Sequence, residues 1–141
     1  MIVLFDTCVV LDYLMDREPF SNDAYELIKM LVSNRFEGFI SVKSVMDIHY
    51  IVKKQLNDEP KTRNIIKDLS SIFEIVDSTT YCCLKGLNSE IKDYEDALMS
   101  ETGELMSADF FVTRNIKDYN KSGLSVITPK ALIKLLNKEN N

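Results

Sequence analysis

The chain has 141 residues, 45% hydrophobic and 28% charged, a balance that suits one soluble domain with one core. Its apolar runs are too short to span a bilayer, and MIVLF lacks the basic leader and the length of a signal peptide, so the expectation is a cytoplasmic protein with no membrane partner. A net charge of −5 weighs against a plain basic nucleic-acid binder, while three cysteines without C-x-x-C spacing and a single histidine, His49, point to neither a disulfide framework nor a His-rich metal site.

The chain opens MIVLFDTCVVLDYL. Residues 2–5 (IVLF) read as a buried strand, yet Asp6 follows at once and apolar periodicity resumes over about 8–15. A buried unpaired carboxylate costs several kcal/mol or more, so Asp6 belongs at the strand's open end or meets a positive partner. After the turn DREPF, Ser21 and Asn22 are plausible caps for a helix with Ala24, Leu27, Ile28 and Leu31 on one face. FEGFIS, 36–41, reads as a second strand, and a helix from about 43 carries Val45, Ile48, Ile51 and Val52 until DEP at 58–60 breaks it.

A helix near 61–70 leads to a third strand, IFEIV, 72–76, then helical stretches at 79–88 and about 94–106. Gly103 inside the latter costs ~1 kcal/mol against alanine. FFVT, 110–113, and SVIT, 125–128, read as strands, and Pro129 opens a last helix at its favoured first position. Strands alternating with helices imply a parallel sheet covered on both faces, with ligands beyond the carboxyl ends of the strands where strand order reverses. Asp6 stands at such an end.

Four stretches can supply carboxylates to that crevice: Asp6; Asp47 in SVKSVMDIHY; Asp93, Glu95 and Asp96 in KDYEDAL; and Asp109 and Asp118, with Asn115, in ADFFVTRNIKDY. Gathered carboxylates repel one another, and a hard cation such as Mg²⁺ or Mn²⁺ relieves the repulsion. Each residue also has a plain structural reading. Asp93 suits a helix N-cap with Asp96 at N3, Asp109 a turn, Glu95 a solvated position and His49 a partly buried structural role. Lys53, Lys54 and Lys67 read as solvated helix faces.

LFDTCVVLDYL, the turn DREPF, ISVKSVMDIHYIV, KDYEDALMSE and ADFFVTRNIKDY with SVITPKALI occur in an order and spacing that resembles the PIN-domain ribonucleases, in particular the branch related to toxins of VapBC-type toxin–antitoxin pairs. The resemblance covers nearly the whole chain. It implies a PIN-like three-layer α/β/α sandwich with a central parallel sheet of about five strands, as a single domain over 1–141. It implies hydrolysis of RNA phosphodiester bonds with Mg²⁺ or Mn²⁺, leaving a 5′-phosphate and a 3′-hydroxyl. Asp6, Asp47 and Asp96 correspond to the first three acids of the family motif. Asn115 stands near the fourth position, and Cys8 stands where the family usually carries Asn. Asp6 and Asp96 would be direct ligands, and Asp47 would ligate directly or through water and orient the attacking water. Asn115 and Thr113 would hold the far edge, and Asp118 is the alternative fourth group. Thr113, Arg114 and Lys117 are the expected substrate contacts, the last two with phosphate. The same resemblance implies a homodimer, for which Tyr13, Leu14, Met15 and Phe20 are candidate surface residues, and a small antitoxin partner.

Two rivals stand beside this reading. One is an aspartyl phosphotransfer domain with Asp77, after the third strand, as phospho-acceptor, although the D-x-D and paired-acid signatures are missing around Asp6. The other is a degenerate PIN fold acting as a binding module, which Asn115 supports.

Overall fold

The computed structural model describes residues 1–141. Five strands, β1 (Ile2–Phe5), β2 (Glu37–Ser41), β3 (Glu74–Val76), β4 (Phe110–Val112) and β5 (Val126–Ile127), form one parallel sheet in the order β3-β2-β1-β4-β5. Strand order reverses at β1, which lies between β2 and β4. The expected three-layer α/β/α sandwich is therefore present, with its topological switch at the strand that ends in Asp6.

Alternation along β1 sends Val3 and Phe5 to one face and Leu4 to the other. The first face carries the larger core. It is covered by α1 (Thr7–Leu14), α2 (Ser21–Val32), α3 (Val42–Leu56), α4 (Glu59–Ile72) and α7 (Pro129–Glu139). Phe5 packs edge-on against Phe73 and stacks with Phe36. The other face is covered by α6 (Tyr94–Leu105), against which α5 (Thr80–Gly86) packs. Its core joins Leu4 and Phe111 to Ala97, Met99 and Tyr119, the last on a 3₁₀ turn at Ile116–Tyr119.

Local chemistry explains most helix ends. The side chains of Ser41, Asp58, Thr79, Asp93 and Thr128 each accept a backbone N–H at the start of α3, α4, α5, α6 and α7. The structural readings of Asp93 and Asp109 also hold: Asp109 accepts the Ile2 N–H at 2.7 Å and so anchors the start of β1. Gly103 has a packing reason, because a Cβ there would lie 2.5 Å from Leu124 and 3.2 Å from Leu4. The helix around Ser21 begins differently from expectation. Phe20 is its N-cap, and Ser21, already helical, donates its hydroxyl to Glu18. The third strand is shorter than 72–76 because α4 continues through Ile72.

Asp6 occupies the N-cap position of α1 but makes no capping bond with its side chain. Its carboxylate is thereby left for another task.

Candidate functional site

Asp6 continues the β1 ladder through its N–H, which donates to the Val112 carbonyl at 3.0 Å. This pairing brings the ends of β1 and β4 side by side, and with them Asp6 and Thr113. The Thr113 hydroxyl, fully buried, donates to Asp6 Oδ2 at 2.7 Å, and the Cys8 thiol donates to the same oxygen at 3.4 Å. Burial pushes the Asp6 carboxyl above its usual range, against the lowering effect of those two bonds and of the Arg114 charge. Burial, reinforced by the Asp6 charge, lifts the Cys8 thiol to about 11, so at neutral pH it is a neutral donor and not a nucleophile.

Across the cleft, Asp93 caps α6 by accepting the Asp96 N–H at 3.0 Å, which fixes the first turn that bears Asp96. The Tyr119 hydroxyl donates to Asp96 Oδ1 at 3.0 Å. The Asp96 carboxyl is also raised, first by burial and then by the charges of Asp93, Asp6 and Asp118, with the Tyr119 bond opposing. Burial and the charges of Asp6 and Asp96 hold the Tyr119 phenol far above its ordinary range, so it serves only as a donor.

A third group lies on the opposite wall. Asp47, one turn into α3, accepts a hydrogen bond from Lys43, and Lys43 reaches Glu95 of α6 at 3.4 Å. Burial would lower the Lys43 ammonium, but its bonds to Asp47 and Glu95 outweigh that and raise it. Asp6, Asp47, Asp96 and Asn115 line one cleft of about 270 Å³, together with Thr7, Cys8, Arg17, Lys43, Glu95 and Tyr119.

The other expected site residues are placed differently. Thr113 is sealed beneath Asp6, where it orients the carboxylate and also accepts the Asn115 N–H at 3.0 Å, so it does not contact substrate as expected. Arg114 is held by Asp12, a carboxylate only 1% exposed, through Nε at 2.6 Å and Nη2 at 3.2 Å, and its guanidinium lies 4.0 Å from the Phe20 ring centroid. That engagement occupies the guanidinium expected to contact phosphate, because burying the Asp12 charge requires a partner. Lys117 and Asp118 line a neighbouring groove with Lys92 and Lys121, which meets the main cleft at Asp96. Asn115, not Asp118, lines the main cleft.

Sequence reasoning missed Lys43, Arg17 and Tyr119, and it placed Glu95 among the candidate acids without its partner Lys43. Lys43 carried a signal, since a cation in the first turn of a helix opposes the helix dipole. His49 is structural as expected and bonds Glu59 at 3.0 Å, while Lys53, expected to be solvated, pairs with the same carboxylate at 3.4 Å.

The donor set suits a hard divalent cation: three carboxylates and one amide, all oxygen donors, with no charged donor bonded to Asp6 or Asp96. The raised carboxyls of Asp6 and Asp96 are the electrostatic signature that a cation relieves. No three acidic, Cys or His side chains converge on one metal-sized point, and Asp47 is held by Lys43.

The family model described as PIN domain matches residues 2–117. The chain belongs to the PIN domain family. Similar solved structures share its fold. VapBC2 from Rickettsia felis, bound to a DNA fragment from their promoter, is 20% identical over 91% of this chain and 98% of that one, with a TM-score of 0.70. A toxin-antitoxin complex from Klebsiella pneumoniae is 25% identical over 90% and 97%, with a TM-score of 0.66. DNA-bound VapBC from Salmonella typhimurium is 16% identical over 92% and 98%, also at 0.66. Among curated proteins nothing matches. The topology does not place Asp77 beside Asp6 as an aspartyl phosphotransfer site would need: β3 is an edge strand, and β2 separates it from β1. No helix of this PIN domain is long and apolar enough to cross a membrane.

Proposed function

We propose that this PIN domain, as one catalytic unit over 1–141, is a metal-dependent endoribonuclease and the toxin of a toxin–antitoxin pair. The observation that carries the reading is the cleft at the switch point, which Asp6, Asp47, Asp96 and Asn115 line together. Asp6 and Asp96 would hold Mg²⁺ or Mn²⁺, with Asn115 as a neutral oxygen donor and Asp47 completing the set. When bound, the cation lowers the pKa of water and polarises the phosphoryl group. The chain's own residues do the rest. Thr113 and Cys8 fix the Asp6 carboxylate, and Tyr119 fixes that of Asp96. Asp47 accepts the proton of the attacking water. Attack of the water oxygen on phosphorus breaks the bond to the 3′-oxygen, which takes a proton from solvent water, leaving a 5′-phosphate and a 3′-hydroxyl. Lys117, with Lys92 and Lys121 beside it, offers phosphate contacts on the way in.

The test is cleavage of single-stranded RNA with and without Mn²⁺, using Asp6→Asn as the control. Cleavage that proceeds equally in EDTA, or in the Asp6→Asn protein, overturns the proposal. A second reading, a PIN-fold binding module without nuclease activity, is favoured by the Lys43–Asp47 pair and by the amide at Asn115. A wild-type protein that binds neither Mg²⁺ nor Mn²⁺ would establish it.

The toxin reading includes inhibition by a small antitoxin and assembly as a homodimer. Tyr13, Leu14 and Met15 are partly buried against the main core, and Leu14 and Met15 line an apolar groove with Val52, Leu56 and Ile65 that supports the dimer reading. Phe20 lies under Arg114. Sedimentation at micromolar concentration should give twice the mass of one chain, and monomer alone would remove the dimer from the proposal.

A further inference from the structure

Lys43 stands where local rules disfavour it. It lies in the first turn of α3, at the positive end of the helix dipole, and its partner Asp47 follows one turn later, the weaker orientation for such a pair. The same helix follows the dipole rule at its other end, with Lys53 and Lys54 in the last turn. The position of Lys43 is therefore maintained by the cleft and not by the helix. Its side chain is 23% exposed and bridges Asp47 to Glu95, forming the one ion pair between α3 and α6.

The bridge divides the cleft electrostatically. On one side, Asp6 and Asp96 are hydrogen-bonded only by neutral groups. On the other, an ammonium already neutralises Asp47. A divalent cation entering between Asp6 and Asp96 meets the repulsion of that ammonium and competes with it for Asp47.

We propose that Lys43 is a resident counter-ion of the acidic cleft, exchanging with a divalent cation for Asp47 and thereby setting the concentration at which that cation binds. This rests on the metal-site reading above. Lys43 is a positioning residue: it holds Asp47 and Glu95 in register while the cation is absent and yields Asp47 as it enters. Asp47 is thus paired with a positive charge in both states, first the ammonium and then the cation. The ordering of α3 against α6 then does not depend on cation loading.

The experiment is Mn²⁺ titration of the full chain by calorimetry, for wild type, Lys43→Met and Lys43→Arg, with thermal melts in EDTA to confirm folding. Removing the charge while keeping the length should tighten Mn²⁺ binding by about tenfold, a size consistent with one unit charge a few ångströms away at intermediate dielectric. Lys43→Arg should stay within about twofold of wild type. Should the Met variant melt too early to titrate, Lys43→Gln serves the same comparison. Unchanged or weaker Mn²⁺ binding by a folded charge-removed variant, with wild type binding normally, overturns the role of Lys43 and leaves the metal reading intact. Mn²⁺ binding by neither wild type nor variant overturns the metal reading, and the role of Lys43 with it.

Discussion

The two walls of the cleft solve the same electrostatic problem in opposite ways. On the strand wall, Asp6 is buried at the junction of β1 and β4, and only neutral hydroxyl and thiol side chains bond it. On the helix wall, Asp47 is 42% exposed and already paired with an ammonium. The strand wall is thus desolvated and short of positive charge, whereas the helix wall is solvated and neutralised. A carboxylate's role follows from its surroundings more than from its identity, because desolvation and nearby charge both act on the ionised form.

The largest expected effect comes from removing the two carboxylates that only neutral groups bond. Asp6→Asn and Asp96→Asn should each lower Mn²⁺-dependent RNA cleavage by more than ~100-fold while the fold is kept. Near-wild-type turnover by either variant would show that the site is assigned wrongly. Asp6→Asn should also melt at a higher temperature than wild type at pH 7 in EDTA. The folded Asp6 carboxyl is raised above its unfolded value, so its ionised form weakens the fold above the unfolded pKa. As pH falls through the raised folded value, wild type regains that stability and the two melts should converge. A gap that widens on acidification would contradict the sign.

The next effect concerns stability. Arg114→Met leaves the buried Asp12 with only the longer 3.9 Å contact to Arg17 and should cost up to about 3 kcal/mol in urea denaturation. A change under ~0.5 kcal/mol would mean Arg114 is free for phosphate after all.

Sharpening the amide at the cleft edge should give a smaller change. Asn115→Asp adds a formal charge beside the proposed cation and should lower the Mg²⁺ concentration for half-maximal cleavage by roughly threefold to tenfold. Mn²⁺ should gain less, since it binds oxygen and nitrogen ligands more readily and tolerates looser geometry. An unmoved Mg²⁺ midpoint would place Asn115 outside the coordination sphere and make Asp118 the fourth group. The smallest change is Lys117→Met. It should raise KM for RNA a few-fold, leave kcat alone and reduce the slope of log affinity against log salt by about 1.

Much of this architecture is legible without coordinates. IVLF ending at Asp6 marks a buried strand whose last residue must face something polar. Caps such as Asp93 and Thr128, with Pro129 beyond, announce helix starts because they satisfy backbone donors within one turn. The alternation of strand and helix is enough for a parallel sheet, and the order and spacing of the motifs carry the family resemblance that nominates Asp6, Asp47 and Asp96 among the wider set of acids. Arg114 shows the limit. Next to Thr113 in a loop after a strand, it reads as a phosphate contact, and nothing within its own segment reveals Asp12, 102 residues away.

By itself the sequence determined the elements, their order and the carboxylates that end or open them, because propensity, capping and alternation act over a few residues. Only the tertiary structure decided strand order, and with it the neighbours of each acid. Pairing β4 with β1 put the Thr113 hydroxyl on Asp6, packing α6 against Leu4 and Phe111 set Asp96 beside Tyr119, and bringing α3 near α6 gave Lys43 two carboxylates to bridge. Charge interactions depend on distance and burial in space, and both are fixed only when the long crossovers of a parallel sheet have closed.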